Sequence, residues 1–271
     1  MVQAHLEDTT PMAWNIANPV KETLAAGGSA LGVFVQMPSP EVVEVLAAAG
    51  FDFVMFDAEH GRVSPEDAYL MLLAAEARGV PALARVGQND RQVILKFLDI
   101  GIAGVMIPQT TTPDDARRAL AAMRYYPRGQ RGLAGGRTFD FGLGQPVAAS
   151  VPHVNDRVLS MVQFEHIESL PHLDELLGLD ELDLLFVGPN DLAQSMGFPG
   201  QPGHPEVEAV IEQVCAAAKG GRVALGTVAA DIEGTRHRLD QGFRLIVANA
   251  STLLGRASRD LLAATRPAAV V

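Results

Sequence analysis

Eight short apolar runs, at residues 30–35, 53–56, 81–86, 104–107, 159–164, 184–187, 223–226 and 245–247, constrain this chain more than any other feature. They are continuous rather than alternating, so each reads as a strand buried on both faces, the habit of parallel sheets. Between them lie helical patterns at 40–49, 65–78, 90–100, 113–123, 205–219, 231–241 and 252–264. Ser39-Pro40, Ser64-Pro65 and Thr112-Pro113 each supply a capping hydroxyl and then a proline at the first helical position, where its missing N–H costs nothing. Gly50, Gly79 and Gly101 stop helices ahead of the next strand. Eight buried strands separated by helices within about 250 residues predict an α/β fold, the (β/α)8 TIM barrel. The alternative is an open doubly wound sheet, but no GxGxxG follows the first strand, which weakens its dinucleotide-binding form. No linker divides the chain, so residues 1–271 read as one barrel domain, with 1–28 as an N-terminal extension and helix. The stretch 125–157, rich in Gly, Arg and aromatics, is the irregular region, and loops of that length are functional or build oligomers.

Composition narrows the function classes. With 21 Lys+Arg against 32 Asp+Glu the net charge is −11, which argues against nucleic acid or an anionic membrane as partner. A few local arginines can still hold an acidic substrate. Cys215 stands alone and cannot form an internal disulfide; it reads as a core residue in a cytoplasmic, reducing setting. Residues 1–10 are acidic and lack the plan of a secretory signal, and no apolar run reaches the roughly 18 residues of a membrane span. The three lysines, Lys21, Lys96 and Lys219, fall outside the strands, so a Schiff-base mechanism lacks its nucleophile. His5, His153, His172, His204 and His237 show no metal-ligand spacing.

Active sites of such barrels sit at the C-terminal ends of the strands. Here the second strand runs into Asp57-Ala58-Glu59-His60-Gly61, the third ends in Arg85, the fifth in Gln163-Phe164-Glu165-His166, and the sixth in Gly188-Pro189-Asn190-Asp191. The opposite ends offer Asp52, Asp183 and Arg222, expected to be a solvated rim. Glu165 and Asp191, acids at the ends of adjacent strands, repel one another across a cavity unless a cation separates them. Oxygen donors favour Mg2+ or Mn2+ over structural zinc, the plain alternative being that each acid caps a helix. Arg85 on a buried strand either pairs internally or clamps an anion or a developing enolate oxygen. His60 lies beside Asp57 and Glu59, where a carboxylate can fix its tautomer for base catalysis; the alternative is a structural histidine. Asp99, near the end of the third helix, is another possible partner for it. The turn Gly188-Pro189-Asn190-Asp191-Leu192 opens a helix whose free N–H groups suit a carboxylate or phosphate.

Taken together, these residues resemble the HpcH/HpaI aldolase family, the metal-dependent pyruvate aldolases of the phosphoenolpyruvate/pyruvate barrel superfamily. The likeness spans about residues 31–264 and keeps motif order. Phe51-Asp52-Phe53-Val54 through Asp57-Ala58-Glu59-His60-Gly61 is similar to the family's D-x-E-H segment, and Arg85 to its strand-end arginine. Phe97-Leu98-Asp99-Ile100-Gly101 is similar to its "LD-hydrophobic-G" helix end, and Gly104 through Pro108 to its fourth strand. Arg124-Tyr125-Tyr126-Pro127 with Arg131-Gly132 resembles R-Y-P-P-x-G-x-R-G, Tyr126 replacing the first proline. Gln163-Phe164-Glu165 matches Q-x-E, and Gly188 to Leu192 matches G-P-x-D-L.

The resemblance implies a role for each position. Glu165 and Asp191 would hold a divalent cation (Mg2+ or Mn2+, or Co2+) that pyruvate chelates through its carboxylate and keto oxygens. Gly188, Pro189, Asn190 and Asp191 would form the substrate turn, the Asn190 and Asp191 backbone receiving the carboxylate. Arg85 would stabilise the enolate oxygen. His60, oriented by Asp57 or Asp99, would serve the proton transfers, and Gln163 would support the metal from behind. The implied activity is that of a class II aldolase, a carbon–carbon lyase that forms or cleaves 4-hydroxy-2-oxo acids with pyruvate as donor and an aldehyde as acceptor. Rivals are a condensing enzyme or oxaloacetate decarboxylase on the same fold and, in another class, a non-catalytic keto-acid binding protein. Residues 133–142 border the aldehyde site in such proteins; Arg137 there would bind a distal carboxylate or join a subunit contact. A homo-oligomer, trimer or hexamer, with the C-terminal helix exchanged between subunits is also implied.

Overall fold

The computed structural model of the protein describes residues 18–265, so the readings of residues 1–10 and of His5 lie outside the described residues. Eight strands, β1 (Ala30–Val35), β2 (Phe53–Asp57), β3 (Ala82–Arg85), β4 (Gly104–Ile107), β5 (Leu159–Phe164), β6 (Leu184–Val187), β7 (Ala224–Val228) and β8 (Leu245–Asn249), pair in parallel in chain order. β8 then pairs with β1 over five residues, from Ala30↔Leu245 to Phe34↔Asn249, and closes the barrel. The helices are α1 (Pro19–Ala25), α2 (Pro40–Ala48), α3 (Pro65–Ala77), α4 (Arg91–Asp99), α5 (Pro113–Met123), α6 (Val147–Arg157), α7 (Leu173–Leu177), α8 (Pro189–Ser195), α9 (Pro205–Ala218), α10 (Ile232–Asp240) and α11 (Ala250–Thr265). Among the described residues no helix is long and apolar enough to cross a membrane.

The local signals act as their chemistry dictates. Ser64 and Thr112 form complete capping boxes with Asp67 and Asp115, and Ser39 Oγ accepts the Val42 amide. Such a cap contributes about 1 kcal/mol. Gly50 and Gly101 end their helices at φ of +96° and +108°, a region that side chains with a Cβ avoid. β1, β4, β5 and β6 have the expected limits at both ends. β2, β7 and β8 run further than their apolar runs, to Asp57, Val228 and Asn249, because the ladder continues into residues whose side chains face the barrel mouth. The segment 125–157 is less irregular than expected: it holds a 3-10 turn at Arg137–Gly142 and the whole of α6. α6 escapes sequence reading because it lacks a side-chain cap, contains Pro152 and buries only Val154 and Asn155.

Strand parity builds two cores. Phe34, Phe53, Met55, Leu83, Met161, Phe186 and Leu245 fill the barrel interior, while their neighbours Val33, Val54, Phe56, Ala84, Val162 and Leu185 pack under the helices. Val20 and Leu24 of α1 join the interior cluster, so α1 plugs the N-terminal end. The charges at that end are not the solvated rim expected of Asp183. Its carboxylate binds Lys21 Nζ at 2.9 Å, Arg124 at 3.4 Å and the Ser160 amide at 2.9 Å. Arg124, 0% exposed, also reaches Glu181 at 3.1 Å and donates to the Val158 carbonyl at 3.0 Å. Arg128 grips both Glu181 oxygens at 2.8 Å and pairs with Asp156.

Candidate active site

The interior parity, followed two residues past the last apolar side chain of each strand, delivers polar groups to the barrel mouth. Met55 leads to Asp57, Leu83 to Arg85, Met161 to Gln163 and then Glu165, and Phe186 to Gly188. Arg85, Gln163 and Gly188 of this set line a cavity of about 370 Å3 together with His60, Asn190 and Asp191, while Asp57 and Glu165 stand behind Arg85 and Gln163. A wider surface hollow of about 580 Å3 exists at the other end, by Lys219, Arg222 and Arg244, but it faces no strand C-terminus.

Asp57 and Arg85 are register partners on β2 and β3, and their side chains meet in a bidentate pair, Nε to Oδ1 at 3.0 Å and Nη2 to Oδ2 at 2.7 Å. Burial pushes the Asp57 carboxyl up, but the hydrogen bonds and charge of Arg85, with the His60 amide and Gln36, outweigh it and hold the carboxyl below its usual range. Arg85 also lies 3.3 Å from Glu59 and 4.6 Å over the Phe34 ring, a cation–π contact. The internal ion pair and the cavity position therefore coexist: Arg85 is locked by one acid and still lines the hollow.

Glu165, 6% exposed, accepts the Gln109 amide at 2.6 Å and a hydrogen bond from Gln163 Nε2. Burial pushes its carboxyl up to about 7; the charges of Glu59 and Asp191 add to this, while the Gln109 amide and Arg85 oppose it. Burial likewise raises Glu59 against the pull of Arg85 and His60. Gly188 is needed for this closeness, since a Cβ there would stand 3.0 Å from Glu165 Oε2. α8 begins at Pro189 with no side-chain cap, which leaves its first-turn amides open at the cavity.

These features fit a hard divalent cation. Burial, with the charge of neighbouring acids added to it, raises both Glu59 and Glu165; the donors are oxygens; and the buried Gln163 Oε1 has no hydrogen-bond partner. Among the described residues no group of three or more His, Cys, Asp or Glu side chains forms a cage. The protein would thus supply two carboxylates and leave the other positions to substrate and water, as Mg2+ sites commonly do.

The expected partners of His60 need correction. Asp57 accepts the His60 backbone N–H at 3.2 Å, but both its oxygens are engaged by Arg85 and the ring lies elsewhere. The carboxylate near the ring is Glu59, 3.9 Å from Nε2, and the His60 side chain is 55% exposed. Asp99 does not meet His60 in this chain. It ends α4, and that helix returns to the N-terminal end of the barrel, where Asp99 binds Arg131 at 2.7 Å. Arg137 is likewise away from the cavity, bound to Glu76 at 2.5 Å and stacked 5.5 Å from the Tyr69 ring. Sequence reasoning passed over Gln109, Gln36 and Asn249. Gln109, at φ +53°, turns its amide onto Glu165, a strained backbone that no sequence signal marks. Gln36 Nε2 donates to Asp57 at 3.1 Å and Asn249 Nδ2 to Gln36 Oε1 at 3.0 Å; both obey the interior parity, two residues beyond Phe34 and Val247.

Comparison with known proteins sets this geometry in context. A family profile described as HpcH/HpaI aldolase/citrate lyase matches residues 30–254. A hydroxypyruvate/pyruvate aldolase of Sagittula stellata is 40% identical over 195 residues, 72% of this chain and 76% of that protein. One of the same description from Cupriavidus necator is 33% identical over 256 residues, 92% of this chain and 93% of its own. The crystal structure of an HpcH/HpaI aldolase/citrate lyase family protein from Burkholderia cenocepacia superposes with a TM-score of 0.87 at 32% identity, covering 93% of this chain and 100% of that one.

Proposed function

The chain belongs to the HpcH/HpaI aldolase/citrate lyase family, and on that premise we propose that it is a divalent-metal-dependent aldolase that makes or breaks 4-hydroxy-2-oxo acids, with pyruvate as the donor and an aldehyde as the acceptor. The observation that carries this reading is that Asp191 and Arg85 line one cavity at the strand C-termini, with Glu165 just behind the lining Gln163 and within charge range of both. Glu165 and Asp191 would hold the cation, Mg2+ or Mn2+, with Gln163 fixing the Glu165 carboxylate. When bound, the cation withdraws electron density from the ketone and so acidifies C3 of pyruvate.

The chain's own groups do the rest. The open Asn190 and Asp191 amides receive the carboxylate of the acid. Arg85, held still by Asp57, keeps a positive charge where the ketone oxygen becomes an enolate, and its bidentate lock means that little reorganisation accompanies that change. His60, with Glu59 beside its ring, takes the proton that leaves C3 or moves the one exchanged at the C4 hydroxyl. We assign Asp57 to positioning of Arg85 rather than to proton transfer.

Residues 1–271 would act as one cytoplasmic barrel domain assembling as a trimer-based homo-oligomer, a homohexamer in its full form. The exposed leucines of α11, Leu254, Leu261 and Leu262, support its exchange between subunits. The decisive experiment is deuterium uptake from solvent into the methyl group of pyruvate, which needs no knowledge of the aldehyde. Uptake should occur with Mg2+ or Mn2+, stop with chelator and fall away in His60→Ala while pyruvate still binds. No uptake, or uptake indifferent to chelator, would overturn the reading.

A further inference from the structure

The wall of the cavity formed by β7, β8 and β1 touches the enolisation just described only through the hydrogen bond from Gln36 to Asp57. Ala229, Ala230 and Val247 make it roomy and apolar, and Gln36, Asn249 and Thr252 give it polar points. The two amides have only one orientation each. A carboxylate can only accept, so Gln36 turns Nε2 to Asp57 and Oε1 to Asn249 Nδ2. Backbone N–H groups can only donate, so Asn249 Oδ1 faces the Ser251 and Thr252 amides, at 3.0 and 3.3 Å, and caps α11. Each NH2 group therefore has one N–H committed within the wall and one left over, and the half-buried positions of Gln36 and Asn249 leave them room to meet a ligand.

We propose that Gln36 and Asn249 read a hydroxyl group on the aldehyde half of the substrate, making the protein selective for hydroxylated aldehydes over their deoxy analogues. The inference rests on the aldolase reading: with the acid's carboxylate at α8 and its ketone beside Arg85, this wall is the part of the cavity lining left to receive the carbons beyond C3. A hydroxyl brought against Ala229, Ala230 and Val247 loses its water and needs the amides in exchange. A methyl group in the same place leaves two oriented N–H groups without partners, and that asymmetry is the source of selectivity. Because the amides are not sealed from solvent, the preference should fall well short of a closed pocket, at roughly 10- to 100-fold.

The test compares kcat/KM for glycolaldehyde and acetaldehyde, pyruvate being the donor, in the wild type, Gln36→Met and Asn249→Ser. Methionine keeps the length of Gln36 without its donors, and serine keeps an oxygen to cap α11. The wild type should prefer glycolaldehyde, and each variant should shift the ratio toward acetaldehyde by about 5-fold or more. Misalignment of Arg85 through the lost Asp57 contact would lower both substrates together, so the ratio separates recognition from damage. If Asn249→Ser does not fold, Gln36→Met carries the test. A wild-type ratio near one, or an unchanged ratio in Gln36→Met, overturns the proposal. So does a shift confined to hydroxypyruvate against pyruvate as donor, which would put the amides on the other half of the substrate. Methyl deuterium uptake by the wild type tells the two failures apart: uptake without hydroxyl preference sinks this inference alone, and no uptake sinks the aldolase reading beneath it.

Discussion

The two ends of the barrel use the same kinds of side chain to opposite ends. At the N-terminal end three cations, Lys21, Arg124 and Arg128, interlock with three anions, Asp156, Glu181 and Asp183. At the C-terminal end four acids, Asp57, Glu59, Glu165 and Asp191, share Arg85 and His60; Asp57 takes both forks of Arg85, and the same guanidinium reaches Glu59 at 3.3 Å. The first arrangement reaches balance within the chain and seals the plug under α1. The second leaves negative charge over, which adds to burial in raising Glu59 and Glu165. A closed ledger marks a structural network; an uncompensated one marks a place for a ligand.

The strongest way to break this contrast is Glu165→Gln. It should abolish Mg2+ or Mn2+ binding by titration calorimetry and cut kcat/KM by about 10³-fold or more, on the order of 4 kcal/mol, without unfolding the protein. Unchanged metal titration would show that the excess charge has another purpose. At the other end, Arg124→Ala leaves Asp183 and Glu181 short of a buried partner and should lower unfolding free energy by about 3–4 kcal/mol, read by urea denaturation, with turnover little altered. A third measurement joins the two ends through pH. The folded carboxyl of Glu165, at about 7, lies above its unfolded value, so its contribution to stability is complete below the unfolded pKa and is lost as pH rises through about 7. Metal-free protein in chelator should therefore lose about 2–3 kcal/mol between pH 5 and pH 8. The amide introduced by Glu165→Gln cannot ionise, so that variant should show a shallower fall; parallel profiles would mean the acids compensate each other after all. The smallest effect is expected from Lys21→Met, about 1 kcal/mol, because Lys21 is partly exposed and Asp183 retains Arg124 and Ser160.

What could be read from sequence divides along the range of the interactions. The strands were legible because double-sided burial writes an unbroken apolar run, and the helix starts because Ser64-Pro65 and Thr112-Pro113 act within four residues. Asp57, Arg85, Gln163 and Glu165 were legible as candidates because strand ends are local features. Their partners were not. Whether Asp57 meets His60 or Arg85 depends on the β2–β3 register, and the fate of Asp99 on the direction in which α4 returns. Asp183 illustrates the same limit: nothing near it announces Lys21 and Arg124, which arrive from distant segments. Gln36 and Asn249 could have been found by extending the inward parity beyond Phe34 and Val247, whereas Gln109 depends on a backbone angle set by its surroundings.

The pairing of β8 with both β7 and β1 has a consequence for synthesis. A ribosome releases β1 long before β8, so through that interval the growing sheet has two bare margins of unpaired N–H and C=O groups. Such margins invite strands from neighbouring nascent chains, and chaperone cover during that window is what this topology calls for. Residues 245–249 remove both margins in one stroke, as the final stave dropped into place makes a cask watertight.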